Sequence, residues 1–140
     1  MKRFVKALTL MSVLCLSVLE VQAQGTAPQT QSLVSGIKIV HTVMGTGAMP
    51  VATDRVKVHY RGTLPSGIEF DNSYKEGAPV VFPLTKVIRC WTQALQHMKV
   101  GGKATLSCPA ELAYGAKGAG DAIPPNTALT FEVELLGIEK

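Results

Sequence analysis

From Ile37 onward the chain alternates apolar and polar positions in short runs bounded by Gly and Pro, the pattern of half-buried strands. Ile37 and Ile39 open the first run, which extends towards Val43 and is broken by Gly45-Thr46-Gly47. Asp54 to Leu64 alternates more cleanly: Val56, Val58 and Tyr60 point one way, and Lys57, His59 and Arg61 the other. Pro65-Ser66-Gly67 is a turn, after which Ile68 and Phe70 share a face. Asn72 to Pro79 reads as a surface loop. Val80 to Leu84 returns to strand, confined by Pro83 to an edge or a bulge. Lys103 to Cys108 and Thr127 to Ile138 complete the set, the latter turning Leu129, Phe131, Val133 and Leu135 inward.

One stretch departs from this period. In Val87 to Met98, Ile88, Trp91, Leu95 and Met98 recur at helical spacing, with Thr85 in a position to cap the start and Val100-Gly101-Gly102 to turn the exit. A helix this short cannot bury its own apolar stripe, so the strands must cover it. The expected fold is α+β: a curved antiparallel sheet wrapped around one short helix. Between the last two strands lies Ala110 to Asn126, a long Gly-, Ala- and Pro-rich connection holding Tyr114 and Ile123, and long connections on compact scaffolds are usually functional or disordered.

The first 35 residues change the picture of domain organisation. Lys2, Arg3 and Lys6 precede an apolar run of 13 residues, Ala7 to Leu19, closed by Glu20 and followed by Val21-Gln22-Ala23. That order is a secretory signal, and the run is short of the roughly 20 residues that span a bilayer. The expectation is a signal peptide over 1–23, a flexible polar leader over 24–35 and a folded domain over 36–140, exported to the periplasm or outer surface with no stable membrane anchor after cleavage. Cleavage would remove three of 14 basic and one of 10 acidic residues, leaving a net charge of +2. The remaining basic residues stand singly between apolar ones, with no stripe to follow phosphates, so nucleic acid is not an expected partner.

His41, His59 and His97 are isolated, no Cys/His spacing resembles a metal site, and neither metal nor cofactor is expected. Cys90 and Cys108 permit one disulfide without requiring it. Cys108 points inward from its strand, while Cys90 sits at the helix start beside the inward-facing Trp91. The expectation is two free thiols, Cys90 the more accessible and too far from Cys108 to bridge.

No nucleophile elbow, phosphate loop or working pair of carboxylates is present. The chemistry is aromatic instead. Tyr60, Phe70, Phe82, Trp91 and Phe131 project inward from different elements, with Tyr114 on the long loop above them. Taken alone these residues are compatible with either a filled core or an apolar pocket floored by Trp91.

Six segments carry a family likeness. Val58-His59-Tyr60-Arg61-Gly62, Gly67 to Ser73, Val87 to Trp91, Leu112-Ala113-Tyr114-Gly115, Ile123-Pro124-Pro125-Asn126 and Leu129 to Leu135 resemble, in order, the signatures of the FKBP family of peptidyl-prolyl cis-trans isomerases. The likeness runs from about Gly36 to Glu139 and is most similar to secreted bacterial members, including the macrophage infectivity potentiator type. It implies a single isomerase domain acting on proline-containing polypeptides, a role in folding exported proteins, and tacrolimus or rapamycin as inhibitors. Some such relatives carry an N-terminal dimerisation helix; here a monomer is expected. The rival is a non-catalytic module that holds proline segments as a chaperone or in contact with a host.

By the same resemblance Asp71 and Tyr114 are the catalytic candidates, and Tyr60, Phe70, Phe82, Val87, Ile88, Trp91, Ile123 and Phe131 bind substrate. The backbone N–H at Ile88 and the Tyr114 hydroxyl are the implied donors to ligand carbonyls. Two departures stand out: Cys90 replaces the usual Gly before the tryptophan, and Val80 stands where some relatives have a further aromatic.

Overall fold

The computed structural model describes residues 27–140. The expected signal peptide lies outside them. Strands β1 (Gln29–Ser32), β2 (Lys38–Val43), β3 (Arg55–Thr63), β4 (Glu69–Asn72), β5 (Val80–Pro83), β6 (Lys103–Cys108) and β7 (Leu129–Glu139) form one open antiparallel sheet in the order β1-β2-β6-β7-β3-β4, with β5 also on β3. The expected architecture is the one observed. β3 and β7 pair from Arg55↔Glu139 to Thr63↔Thr130. On its other edge β3 holds β5 along its first half and β4 along its last residues, so one strand borders everything that follows.

The main helix is α2 (Arg89–Leu95), which buries Cys90, Trp91, Ala94 and Leu95 against the sheet. It begins later than the pattern suggests. Val87 and Ile88 are extended (φ −114°, ψ 172° and φ −57°, ψ 148°), Leu84–Lys86 forms a separate 3₁₀ turn, and no side chain caps α2. Two consecutive β-branched residues disfavour helix, and extension there lets both reach inward. Thr85 is therefore not the cap; Thr92 does the tying, its hydroxyl donating to the Leu84 carbonyl at 2.7 Å.

Three further expectations are corrected. Part of the polar leader is ordered: β1 pairs from Gln29↔His41 to Ser32↔Lys38 by its backbone alone, its side chains largely in solvent. The loop after β4 contains a single helical turn, α1 (Ser73–Glu76), capped by the Asn72 side chain and closed by Gly77 at φ 78°. Ile68 does not share the buried face of Phe70; it lies in the turn, 63% exposed.

The largest correction concerns the cysteines. Cys90 and Cys108 are joined by a disulfide with Cα atoms 5.7 Å apart, and both are buried. Adjacent residues on a helix diverge by about 100°, so Trp91 can face the cavity while Cys90 faces the end of β6. Exclusion from Trp91's direction had implied exposure; the opposite flank of the helix is covered by the sheet.

Candidate functional site

β3 supplies the first component of the site, because alternation sends Tyr60 inward between His59 and Arg61. Gly62, two residues on, makes room. A β-carbon there would run into the Phe70 ring and approach Phe131 Cε1 to 3.0 Å, so these two rings can cross β3 only over a glycine. Phe70 and Phe131 then meet edge to face, 5.7 Å between centroids at 88°.

Trp91 projects from the first turn of α2 into this frame and is 4% exposed. Three rings meet it edge-on: Tyr60 at 5.1 Å and 86°, Phe131 at 5.4 Å and 83°, and Phe82 at 5.5 Å and 90°. Edge-to-face contact is the favoured geometry for aromatic quadrupoles and here builds walls standing around a floor. The space above is a cavity of about 430 Å³ lined by Tyr60, Phe70, Asp71, Phe82, Lys86, Val87, Ile88, Trp91, Tyr114 and Phe131. It is a pocket, not a filled core.

Polar groups in it are few and fixed. The Tyr60 hydroxyl donates to Asp71 Oδ2 at 2.5 Å, while Asp71 Oδ1 accepts the Asn72 N–H at 2.9 Å. Burial, and then the hydrogen bond to Asp71, push the Tyr60 phenol well above its ordinary range, so it stays a donor. Ser73, fully buried, locks the strand behind it: its Oγ accepts the Tyr60 N–H at 2.7 Å and donates to the Tyr60 carbonyl. The Trp91 indole N–H is buried and takes no partner among the described residues.

Two donors at the rim are also unspent. Ile88 N–H meets no carbonyl among the described residues, and the Tyr114 hydroxyl makes no hydrogen bond there. Tyr114 is 41% exposed and precedes the 3₁₀ turn Gly115–Lys117. The long connection that bears it is ordered: Ala119 and Ile123 exchange backbone hydrogen bonds, and Asn126 N–H donates to the Gly115 carbonyl. Gly118, at φ 63° with the Ile123 and Pro124 backbone where a side chain would be, permits that tight pairing.

Of the ten site residues expected from the sequence, nine line the cavity and Ile123 does not; it is buried inside the loop that positions Tyr114. Lys86 lines the cavity and was not anticipated. Gly62 was within a quoted motif without a role, and a glycine inside a strictly alternating strand was the available signal of close approach.

A sheet of this order packed on one main helix, with a single tryptophan under an aromatic pocket, defines a known class of fold and cavity. Residues 47–136 match the family described as FKBP-type peptidyl-prolyl cis-trans isomerase. The chain belongs to that family. It is 53% identical over 110 residues to the FKBP-type peptidyl-prolyl cis-trans isomerase FkpA of Aeromonas hydrophila, a match covering 79% of this chain and 41% of that protein. It is 51% identical over 104 residues to the FKBP-type 22 kDa peptidyl-prolyl cis-trans isomerase of Escherichia coli K12, covering 74% of this chain and 50% of that one. The chain thus spans half or less of the length of these curated relatives. The crystal structure of a peptidyl-prolyl cis-trans isomerase from Pseudomonas syringae pv. tomato DC3000 superposes with a TM-score of 0.76 at 44% identity, covering 84% of this chain and 86% of that one.

Proposed function

We propose that this protein catalyses rotation about X-Pro peptide bonds in the cavity above Trp91, with an apolar residue before the proline. The observation that carries the reading is an apolar, aromatic-walled pocket whose rim keeps two unspent donors, Ile88 N–H and the Tyr114 hydroxyl, with nothing in it that resembles a nucleophile and its base.

Rotation meets a barrier of about 18–20 kcal/mol because the amide loses resonance on twisting, and no bond to another atom has to break. The planar amide is more polar than the twisted one. Removing it from water into an apolar site therefore penalises the ground state more than the transition state. The Ile88 N–H and Tyr114 hydroxyl offset part of that desolvation by donating to the ligand's carbonyl oxygens, and so fix which bond can turn. A millionfold acceleration would need roughly 8 kcal/mol, shared among desolvation, packing of the prolyl ring on Trp91 and these hydrogen bonds. Asp71 holds the Tyr60 ring against the indole and keeps its own charge satisfied, as a carboxylate beside an apolar cavity requires.

The physiological setting is part of the same proposal. The basic and apolar pattern of residues 1–23 supports export, and so does a buried disulfide, since such bonds persist in oxidising compartments. Among the described residues no helix is long and apolar enough to cross a membrane. The natural ligands would be proline-containing segments of exported polypeptides, and tacrolimus or rapamycin would compete for the cavity.

A protease-free isomerisation assay on a panel of X-Pro peptides tests this. Purified protein should accelerate interconversion and lose that acceleration in rapamycin. Asp71→Leu should lower turnover more than it lowers stability. Folded protein that speeds no peptide would remove the enzyme reading and leave a module that only holds proline segments.

A further inference from the structure

Lys86 is the one basic side chain lining the cavity, and the rotation mechanism makes no use of it. It ends the 3₁₀ turn Leu84–Lys86, where Leu84 is fully buried and tied to α2 through the Thr92 hydroxyl. Val87 and Ile88 follow it directly as cavity lining. The backbone of Lys86 is thus held on both sides while its side chain lies exposed at the rim. Arg61, Lys75 and Lys103 on the opposite face each have a carboxylate partner, whereas Lys86 takes part in no ion pair among the described residues. The carboxylate that shares the cavity, Asp71, already accepts from the Tyr60 hydroxyl and the Asn72 amide. A ligand therefore meets at the rim a cation that makes no ion pair among the described residues, beside apolar walls and across from a carboxylate whose oxygens already accept from Tyr60 and Asn72.

We propose that Lys86 is a specificity-determining residue that favours proline segments carrying an aspartate or glutamate side chain close to the X-Pro bond. This rests on the isomerase reading above and names the substrate class of the same site. The aromatic walls take the prolyl ring and the apolar residue before it, so the acidic side chain belongs at a neighbouring position that overhangs the rim. The ammonium sits on a flexible four-carbon stem, which gives reach without rigid geometry. Because the pair remains in solvent, its effect is a preference rather than a requirement, and it is screened by salt.

The test uses matched peptides, each with an apolar-Pro core and either Glu or Gln at one of the two positions on either side. At one or more positions the Glu peptide should exceed its Gln partner in kcat/KM by roughly two- to fivefold at low ionic strength, through KM, and the ratio should approach one in concentrated salt. Lys86→Met should abolish the ratio, Lys86→Glu should invert it, and Lys57→Met, which removes an equal charge from the outer face of β3, should preserve it. A ratio of one at every position in active protein would overturn the proposal. So would retention of the ratio in Lys86→Met, or its equal loss in Lys57→Met. Calorimetric titration of the same peptides reads the preference without turnover: protein that binds Glu peptides more tightly yet isomerises none would remove the isomerase reading and keep the role of Lys86.

Discussion

The two faces of β3 use similar residue types to opposite ends. On the outer face an aromatic pair lies flat, His59 on Tyr74 at 4.4 Å and 12°, and the charges around it are paired with one another: Glu69 binds Arg61 and Lys75, both at 2.7 Å, Arg61 also reaches Glu132, and the Tyr74 hydroxyl donates to Glu134, while Lys57 further along the strand stands in solvent. On the inner face the rings meet edge-on, leaving the cavity between them. The outer arrangement spends its valences on itself. The inner one leaves ring faces, the Ile88 amide and the Tyr114 hydroxyl for something else. What separates a binding surface from a merely stable one here is how completely each group is already partnered, not which residues are present.

The contrast breaks hardest at Trp91. Trp91→Ala removes the floor that three rings lean on and should cost about 3–5 kcal/mol of stability with loss of measurable isomerisation; denaturant unfolding and the peptide assay read the two effects. Next in size is the covalent tie beneath it. Cys90 and Cys108 are 18 residues apart, so replacing both with Ala should destabilise by about 3 kcal/mol and lower Tm by roughly 10–15 °C, without sensitivity to reductant. Equal melting of the double variant and the non-reduced wild type would show the bridge to be dispensable.

The smallest effect lies on the outer face. Lys75 and then Arg61, hydrogen-bonded to Glu69, hold its carboxyl down at about 2, below the ordinary 4.5. A lowered folded value means the unfolded chain binds the proton first. The contribution of this network is therefore fully present above about pH 4.5 and is lost as the pH falls through about 2. Glu69→Gln should lower Tm slightly at neutral pH, converge with wild type near pH 2 and leave isomerisation unchanged; altered turnover would mean that the two faces communicate through β3.

The strands were legible because burial on one face writes period-two alternation into the residues themselves, as at Val56, Val58 and Tyr60. β1 was not, since Gln29 to Ser32 pairs through backbone groups that every sequence has and buries almost nothing. The helix was visible from Trp91 and Leu95, but its start was misplaced because Thr85 has the chemistry of a cap while Val87 and Ile88 have the stiffness of a strand. The disulfide depends on which flank of α2 meets β6, a tertiary fact that cysteine spacing does not contain. Most of the aromatic site could be anticipated by family likeness. Lys86 could not, because a lone lysine beside an apolar motif looks like any other solvated surface charge.

Trp91 has an optical consequence as well. It is the only indole in the chain, so all tryptophan emission originates at the cavity floor. With the ring 4% exposed and its N–H without a partner among the described residues, that emission belongs to a dry environment, and both an arriving ligand and the loss of the surrounding rings must change its colour or intensity. The protein thus carries a built-in, label-free photometer trained on one site, able to separate an occupied pocket from a collapsed one within a single spectrum.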